Sequence, residues 1–206
     1  MIDSQLKPCG VVSTPTVSAF FAVPREDFVP ANRRSLAYVD AAQPLGNGRE
    51  LMAPLSLGLL IENAAVQRGE HVLVVGAGTG YSAAILAAMG ARVVAVESDA
   101  TLAAAARAAL GATADILVVE GPLEGGAPGQ APFDLILIDG AVELLPPELI
   151  AQLAEGGRLV AILHGSDGVS RAARGLKRAG IAPLEPFGEA AAAILPPFRK
   201  AAAFRF

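Results

Sequence analysis

The sequence has no tryptophan, one cysteine, two histidines and no excess of positive charge, and each shortage closes a class of function. With Cys9 alone there is neither an internal disulfide nor a cysteine-based metal cluster, which fits a reducing compartment; Cys9 reads as inert. His71 and His164 are too few and too far apart to make a ligand cluster, so both read as structural and no metal is expected. The 16 basic residues stand against 20 acidic ones for a net charge of -4, without a basic run or aromatic-basic interleaving, so nucleic acid is not the expected partner. No apolar run approaches the roughly 18 residues that cross a bilayer. The longer ones, such as residues 159–163, are strand-sized, and no membrane partner is expected. The first residues, Met1-Ile2-Asp3-Ser4-Gln5-Leu6-Lys7, lack the basic segment and apolar core of a secretory signal, and the expected location is the cytoplasm.

Apolar side chains are plentiful, at 53% of the residues, as expected where one sheet is covered on both faces. A length of 206 residues suits a single domain, with residues 1–50 as a covering segment, 51–163 as the core and 164–206 as C-terminal strands and lid. The first part reads as a helical segment followed by loops, punctuated by Pro24-Arg25-Glu26-Asp27-Phe28-Val29-Pro30 and Pro44-Leu45-Gly46-Asn47-Gly48. A helix over 54–66 leads through Arg68-Gly69-Glu70 into Val72-Leu73-Val74-Val75, which is short, β-branched and closed by glycine, and so reads as a buried strand. There follow a helix over 81–89, a strand over 92–97, a helix over 99–110 with Asp99 as N-cap, a strand over 116–120 and a loop over 121–132. A strand over 133–139, a helix over 147–153 and a strand over 158–163 complete the alternation, which indicates βαβ units and a mostly parallel, doubly wound sheet. Beyond His164 the segments 169–177, 181–187 and 202–206 read as strands that add an antiparallel hairpin.

The chemistry-bearing feature is Gly76-Ala77-Gly78-Thr79-Gly80, set between a strand and a helix, where backbone amides at a helix N-terminus would meet a ligand unobstructed. Dinucleotide-binding chains favour G-x-G-x-x-G, but here the third glycine falls one position early and Tyr81 stands where that motif has glycine. The G-x-G-x-G spacing favours S-adenosylmethionine, which has no pyrophosphate to seat. Glu97 ends the next strand, where a carboxylate accepts both ribose hydroxyls. The bland alternatives are a tight turn and a solvated glutamate. Tyr81, Ser98, Gly121, Pro122 and Asp139 complete the cofactor-facing set.

Over residues 1–163 the chain resembles the protein-L-isoaspartate (D-aspartate) O-methyltransferase family. The pieces that carry the resemblance are Asp3-Ser4-Gln5-Leu6, Val23-Pro24-Arg25-Glu26-Asp27-Phe28-Val29-Pro30, Ala37-Tyr38-Val39-Asp40 and Pro44-Leu45-Gly46 leading into Gly48-Arg49. Further on they are Pro132-Phe133-Asp134-Leu135-Ile136-Leu137 and Leu153-Ala154-Glu155-Gly156-Gly157-Arg158-Leu159-Val160. The resemblance implies an α/β, Rossmann-like S-adenosylmethionine-dependent methyltransferase fold. It also implies methyl transfer to the α-carboxylate of an isoaspartyl residue in a damaged protein or peptide, by a monomer or homodimer. A carboxylate with a pKa near 4 is already ionised at neutral pH, so positioning and exclusion of water dominate over base catalysis.

The chain departs from the family in four places. Met52 stands where the family has a serine, and a thioether donates no hydrogen bond; Ser56, close by, is the hydroxyl candidate for a catalytic role. Val74 stands where the family has an acid facing the charged end of the cofactor. The fourth strand of the alternation ends in Ile138-Asp139-Gly140-Ala141, and Asp139, at the carboxyl edge of the sheet, either orients cofactor or substrate or caps the strand in an Asx turn. Residues 191–206 differ as well. These departures leave two rivals open: another carboxylate or small-molecule acceptor with the same cofactor, and a catalytically silent binding module. Arg25 and Glu26 read as solvated or locally paired rather than lining a channel, and Tyr38 as covering a loop rather than the site.

Overall fold

The computed structural model describes residues 1–112 and 114–200. A π-helical turn (Ile2–Leu6) leads to helix α1 (Thr14–Ala22), two 3-10 turns (Arg25–Phe28 and Ala31–Leu36) and a hairpin of β1 (Gln43–Gly46) and β2 (Arg49–Leu51). Then come α2 (Pro54–Ala64), β3 (His71–Val75), α3 (Tyr81–Ala88), β4 (Arg92–Glu97), α4 (Ala100–Leu110), β5 (Ile116–Glu120), β6 (Phe133–Val142) and α5 (Pro147–Ala151). The chain continues through β7 (Leu153–His164), β8 (Ser170–Leu176) and β9 (Glu185–Glu189).

Seven strands form one sheet in the order β5-β4-β3-β6-β7-β8-β9, parallel from β5 to β7 and antiparallel at β8 and β9. This is the doubly wound sheet with a C-terminal hairpin that the alternation predicts. The β3 run is apolar at every position because both its faces are covered. Val72 and Val74 pack with Leu57, Leu60 and Ile61 of α2, whereas Leu73 and Val75 pack with Ile136, Leu149 and Phe198 on the other side. Each such burial stabilises by about 1.5–3 kcal/mol. From β3 the chain winds outward through β4 and β5, then returns to lay β6 on the opposite side of β3. That reversal opens a crevice at the carboxyl ends of β3 and β6, the place where open α/β sheets bind ligands.

Local sequence sets the element ends. Pro54 occupies the first turn of α2, where its missing N–H costs nothing. Asp99 caps α4 as expected, its carboxylate accepting from the amides of Thr101 at 2.8 Å and Leu102 at 3.1 Å.

Four expectations need correction. The loops expected around residue 46 are the β1–β2 hairpin; Asn47 (φ 50°) and Gly48 (φ 72°) supply the two left-handed residues of a tight primed turn. Strand β6 runs on past Asp139 to Val142, which excludes a capping Asx turn; Asp139 lies instead where pairing with β7 skips between Leu137 and Ala141. Helix α5 stops at Ala151, and Leu153 already pairs with Phe133, so β7 starts five residues before Arg158. The segment 181–187 forms strand only from Glu185, after a turn that pairs Arg178 with Ile181. The expected strand at 202–206 lies outside the described residues.

Candidate functional site

The glycine turn after β3 faces the crevice, but its amides are engaged within the protein. Gly76 N and Ala77 N donate to the Val96 carbonyl at 2.9 and 3.1 Å, and Gly80 N donates to the Ala77 carbonyl at 2.8 Å. Gly78 N donates to Glu97 Oε2 at 2.7 Å. The expected bed of free amides is thereby corrected: the turn must satisfy the last groups of β4, and what it offers a ligand is side-chain-free backbone. Gly76, Gly78 and Gly80 all have positive φ (80°, 56° and 96°), the conformation that keeps the turn glycine-rich.

Glu97 ends β4 fully buried, with its carboxylate turned toward the turn. Oε1 accepts from Ser98 N at 2.8 Å, Asp99 N at 3.0 Å and Arg49 Nη1 at 2.6 Å. Arg49 Nη2 also donates to the Gly76 carbonyl at 2.9 Å, so one guanidinium bridges both halves of the expected nucleoside place. Asn47, at the tip of the same hairpin, donates to Asp99 Oδ2 at 2.7 Å and fixes the hairpin against the α4 cap. Removing one partner of the buried Arg49–Glu97 pair costs about 3–5 kcal/mol.

A second segment closes the crevice. Past β9, Ala193 O accepts from Ala141 N at 2.9 Å and Leu195 N donates to the Ala141 carbonyl at 3.0 Å, which lays residues 190–195 along the end of β6 as a strap. Ala193 N donates to Glu50 Oε1 at 2.7 Å, and Ser56 Oγ donates to the Ala191 carbonyl at 3.0 Å. Leu195 fills the space over the glycines: a Cβ at Gly76 would lie 3.0 Å from Leu195 Cδ1, and one at Gly140 2.7 Å from Leu195 Cγ. Between Arg49, Glu50, Met52, Asp139, Gly140 and Leu195 a cavity of about 10 Å³ remains. That is space for one water at most. Unobstructed approach, the expectation from sequence, does not hold, because Arg49 and Leu195 fill the crevice.

Asp139 projects from the same sheet face as Leu135 and Leu137, the face that also carries Val74, and is 7% exposed. Burial pushes its carboxyl up to about 6, while the charges of Arg49 and Arg25 act in the opposite direction; the nearby Ser82 hydroxyl is buried without a hydrogen-bond partner. Met52 and Val74 are buried, at 2% and 0% exposure. Ser56 meets the strap and an open groove of about 380 Å³ shared with Asp40, Glu50 and Glu189, not the cavity that Met52 lines.

Arg25 is fully buried, which corrects its solvated reading: Nε donates to the Ala37 carbonyl at 2.7 Å and Nη2 to the Met52 carbonyl at 2.6 Å. Its guanidinium lies 5.0 Å from the Tyr81 ring centroid. Tyr81 packs against Phe28 and Phe20, at 5.4 and 6.2 Å between ring centroids, and burial raises its phenol pKa. Its place is thus in the core beneath α1, not on the crevice surface expected for it. Thr79 Oγ1 donates to the Phe28 carbonyl at 2.6 Å, and Gly121 N, followed by Pro122, to the Glu97 carbonyl at 3.0 Å. The Tyr38 hydroxyl donates to Glu26 and holds that carboxyl below its usual range, a local pair on the surface. His71 Nδ1 contacts the Pro132 carbonyl, and His164 Nδ1 the Ser170 hydroxyl. Sequence reasoning missed Arg49 and Leu195 as crevice residues. The signal for Arg49 was its position directly after Asn47-Gly48, the strongest short hairpin pattern.

The family model for protein-L-isoaspartate(D-aspartate) O-methyltransferase matches residues 1–179. The chain belongs to this family. A relative from Methylorubrum populi, named protein-L-isoaspartate O-methyltransferase, is 45% identical over 163 residues, which cover 78% of this chain and 76% of that one. A solved protein-L-isoaspartate O-methyltransferase superposes with a TM-score of 0.78 at 25% identity, over 92% of this chain and 63% of the other. A Plasmodium falciparum structure, described as a putative protein-L-isoaspartate O-methyltransferase in complex with S-adenosyl-L-homocysteine, gives 0.75 at 19% identity over 92% and 94%. At that identity it supports the methyltransferase fold alone. Among the described residues, no helix is long and apolar enough to cross a membrane.

Proposed function

We propose that the chain is an S-adenosylmethionine-dependent carboxyl O-methyltransferase acting on L-isoaspartyl residues of proteins or peptides. The observation that carries this reading is the family match over residues 1–179, joined to a buried carboxylate, Glu97, at the carboxyl end of β4 beside the glycine turn. The residues fit the cofactor in kind: Glu97 suits two ribose hydroxyls, and the bare turn at Gly76, Ala77, Gly78, Thr79 and Gly80 suits close approach of a nucleoside. Ser98, Gly121 and Pro122 flank Glu97 and suit the base; Asp139, on the face of Val74, suits the cationic end. Around these groups stand Arg49 on Glu97, Leu195 against Gly76, Leu45 against Gly78 and Leu110 against Gly80, and Glu97 Oε2 also accepts from Gly78 N.

S-adenosylmethionine supplies a methyl group on a sulfonium, already activated for transfer. The protein's part is to bind, orient and dry the acceptor. The isoaspartyl carboxylate is ionised at neutral pH and needs no base. The strap at residues 190–195 and the β1–β2 hairpin are placed to exclude water from it. We read the 206 residues as one domain, placed in the cytoplasm as a monomer or homodimer.

A second reading, a different methyl acceptor with the same cofactor, is favoured by Met52, whose thioether gives a carboxylate no hydrogen bond. Incubation with labelled S-adenosylmethionine and an isoaspartyl peptide tests the first reading through base-labile methyl ester. Saturable binding of S-adenosylhomocysteine with no ester formed would transfer support to the second, and absence of binding would leave the silent-module alternative.

A further inference from the structure

One side chain joins the two halves of the site. Arg49 Nη1 lies 2.6 Å from Glu97 Oε1, on the carboxylate a ribose would need, and its other prong holds the Gly76 carbonyl. The same residue lines the small cavity beside Met52, where it is the only basic group among the described residues and Glu50 and Asp139 are acidic. Arg25, the other buried cation nearby, does not line this cavity; its Nε and Nη2 are held by the carbonyls of Ala37 and Met52 and its Nη1 has no partner. An acceptor carboxylate entering this space meets Glu50 and Asp139 and no donor from Met52, so like-charge repulsion must be offset by a cation. A guanidinium answers both needs, since its planar fork matches a carboxylate in two hydrogen bonds.

We propose that Arg49 serves both sites in turn: it neutralises Glu97 in the closed form, and the hydroxyls of an arriving nucleoside, by taking Glu97, release the guanidinium to bind the acceptor's carboxylate. Binding is then ordered, cofactor before acceptor. The methyl ester formed by transfer is uncharged, so the grip of Arg49 is lost on product and its return to Glu97 favours release. Hairpin β1–β2 carries Arg49 on a two-strand unit outside the main sheet, with its Asn47-Gly48 tip held to Asp99 by one surface hydrogen bond.

The inference rests on the carboxylate-methylating reading, but its tests are binding measurements that need no turnover, so the two fail separately. Calorimetric titration with S-adenosylhomocysteine compares wild type with Arg49→Gln and Arg49→Lys. Relief of the competing ion pair should tighten binding in Arg49→Gln by roughly tenfold, since apparent affinity falls with the fraction of protein that is binding-competent. Arg49→Lys, which keeps the charge but cannot bridge Glu97 and Gly76 together, should fall between them and serves alone if the glutamine variant does not fold. An isoaspartyl peptide and its side-chain amide are then titrated into the S-adenosylhomocysteine-loaded proteins. Wild type should prefer the carboxylate, and Arg49→Gln should lose that preference. Binding of S-adenosylhomocysteine no tighter in either variant than in wild type, or an unchanged preference for carboxylate over amide, overturns the proposal.

Discussion

Asp139 is a carboxyl whose neutral form the fold favours. Its folded pKa is raised to about 6 from an ordinary value of 3.8, chiefly by burial. The stability this neutral form contributes is complete below pH 3.8 and is lost as pH rises through about 6. Asp139→Asn keeps the shape and removes the titration, so it should be more stable than wild type at pH 7 by on the order of 3 kcal/mol, with the gap closing near pH 4. Urea denaturation at the two pH values checks this, and a gap of equal size at both would contradict the burial of Asp139. At Met52, Met52→Ser restores a hydroxyl facing the cavity and should raise kcat/KM for an isoaspartyl peptide about tenfold, the effect of one added hydrogen bond to a charged group. The place of Glu97, closing β4 beside the turn, was legible from sequence because a strand, a glycine turn and a closing acid follow one another along the chain. Arg49 and Leu195 were not, since they reach Glu97 and Gly76 from distant segments, and nothing local marks such a long-range contact.

The elements most legible were those with one dominant cause. Strand β3 follows from an unbroken apolar run rich in β-branched valine, and α4 from an Asp99 cap before an alanine-rich stretch. Those less legible depend on pairing. Strand β6 extends through Asp139 and Gly140 because Ala141 is held by Ala193 and Leu195, partners that no local pattern announces. The strap itself is open to test. Leu195→Ala removes the side chain over Gly76 and Gly140 and should destabilise the protein by about 2–5 kcal/mol while tightening S-adenosylhomocysteine binding. Chemical denaturation and calorimetry on the same sample read both effects; loss of stability with weaker binding would mean that the strap supports the crevice instead of covering it. At the other end of α2, Ala65 terminates the helix in the left-handed conformation at φ 50°. Ala65→Gly should therefore raise stability by about 1 kcal/mol, measurable as a higher Tm.

At the scale of the whole molecule, a ligand that binds only the folded form stabilises it by mass action. S-adenosylhomocysteine at a hundred times its Kd should add about 2.7 kcal/mol. For a chain of this size that raises Tm by roughly 5–10 °C, and adenosine at matched saturation should give a similar rise if Glu97 is the common contact. An unchanged Tm under saturating S-adenosylhomocysteine would count against binding at the crevice. The Arg49–Glu97 pair has a further consequence for how the protein is made. A carboxylate sealed inside a fold without a partner is a severe penalty, and many nucleotide-dependent proteins meet it by folding around their ligand. Here a counter-charge encoded in the same polypeptide stands ready, so newly synthesised chains can reach the native state in cells starved of adenosyl compounds, and purification stripped of small molecules should still yield a well-folded monodisperse sample.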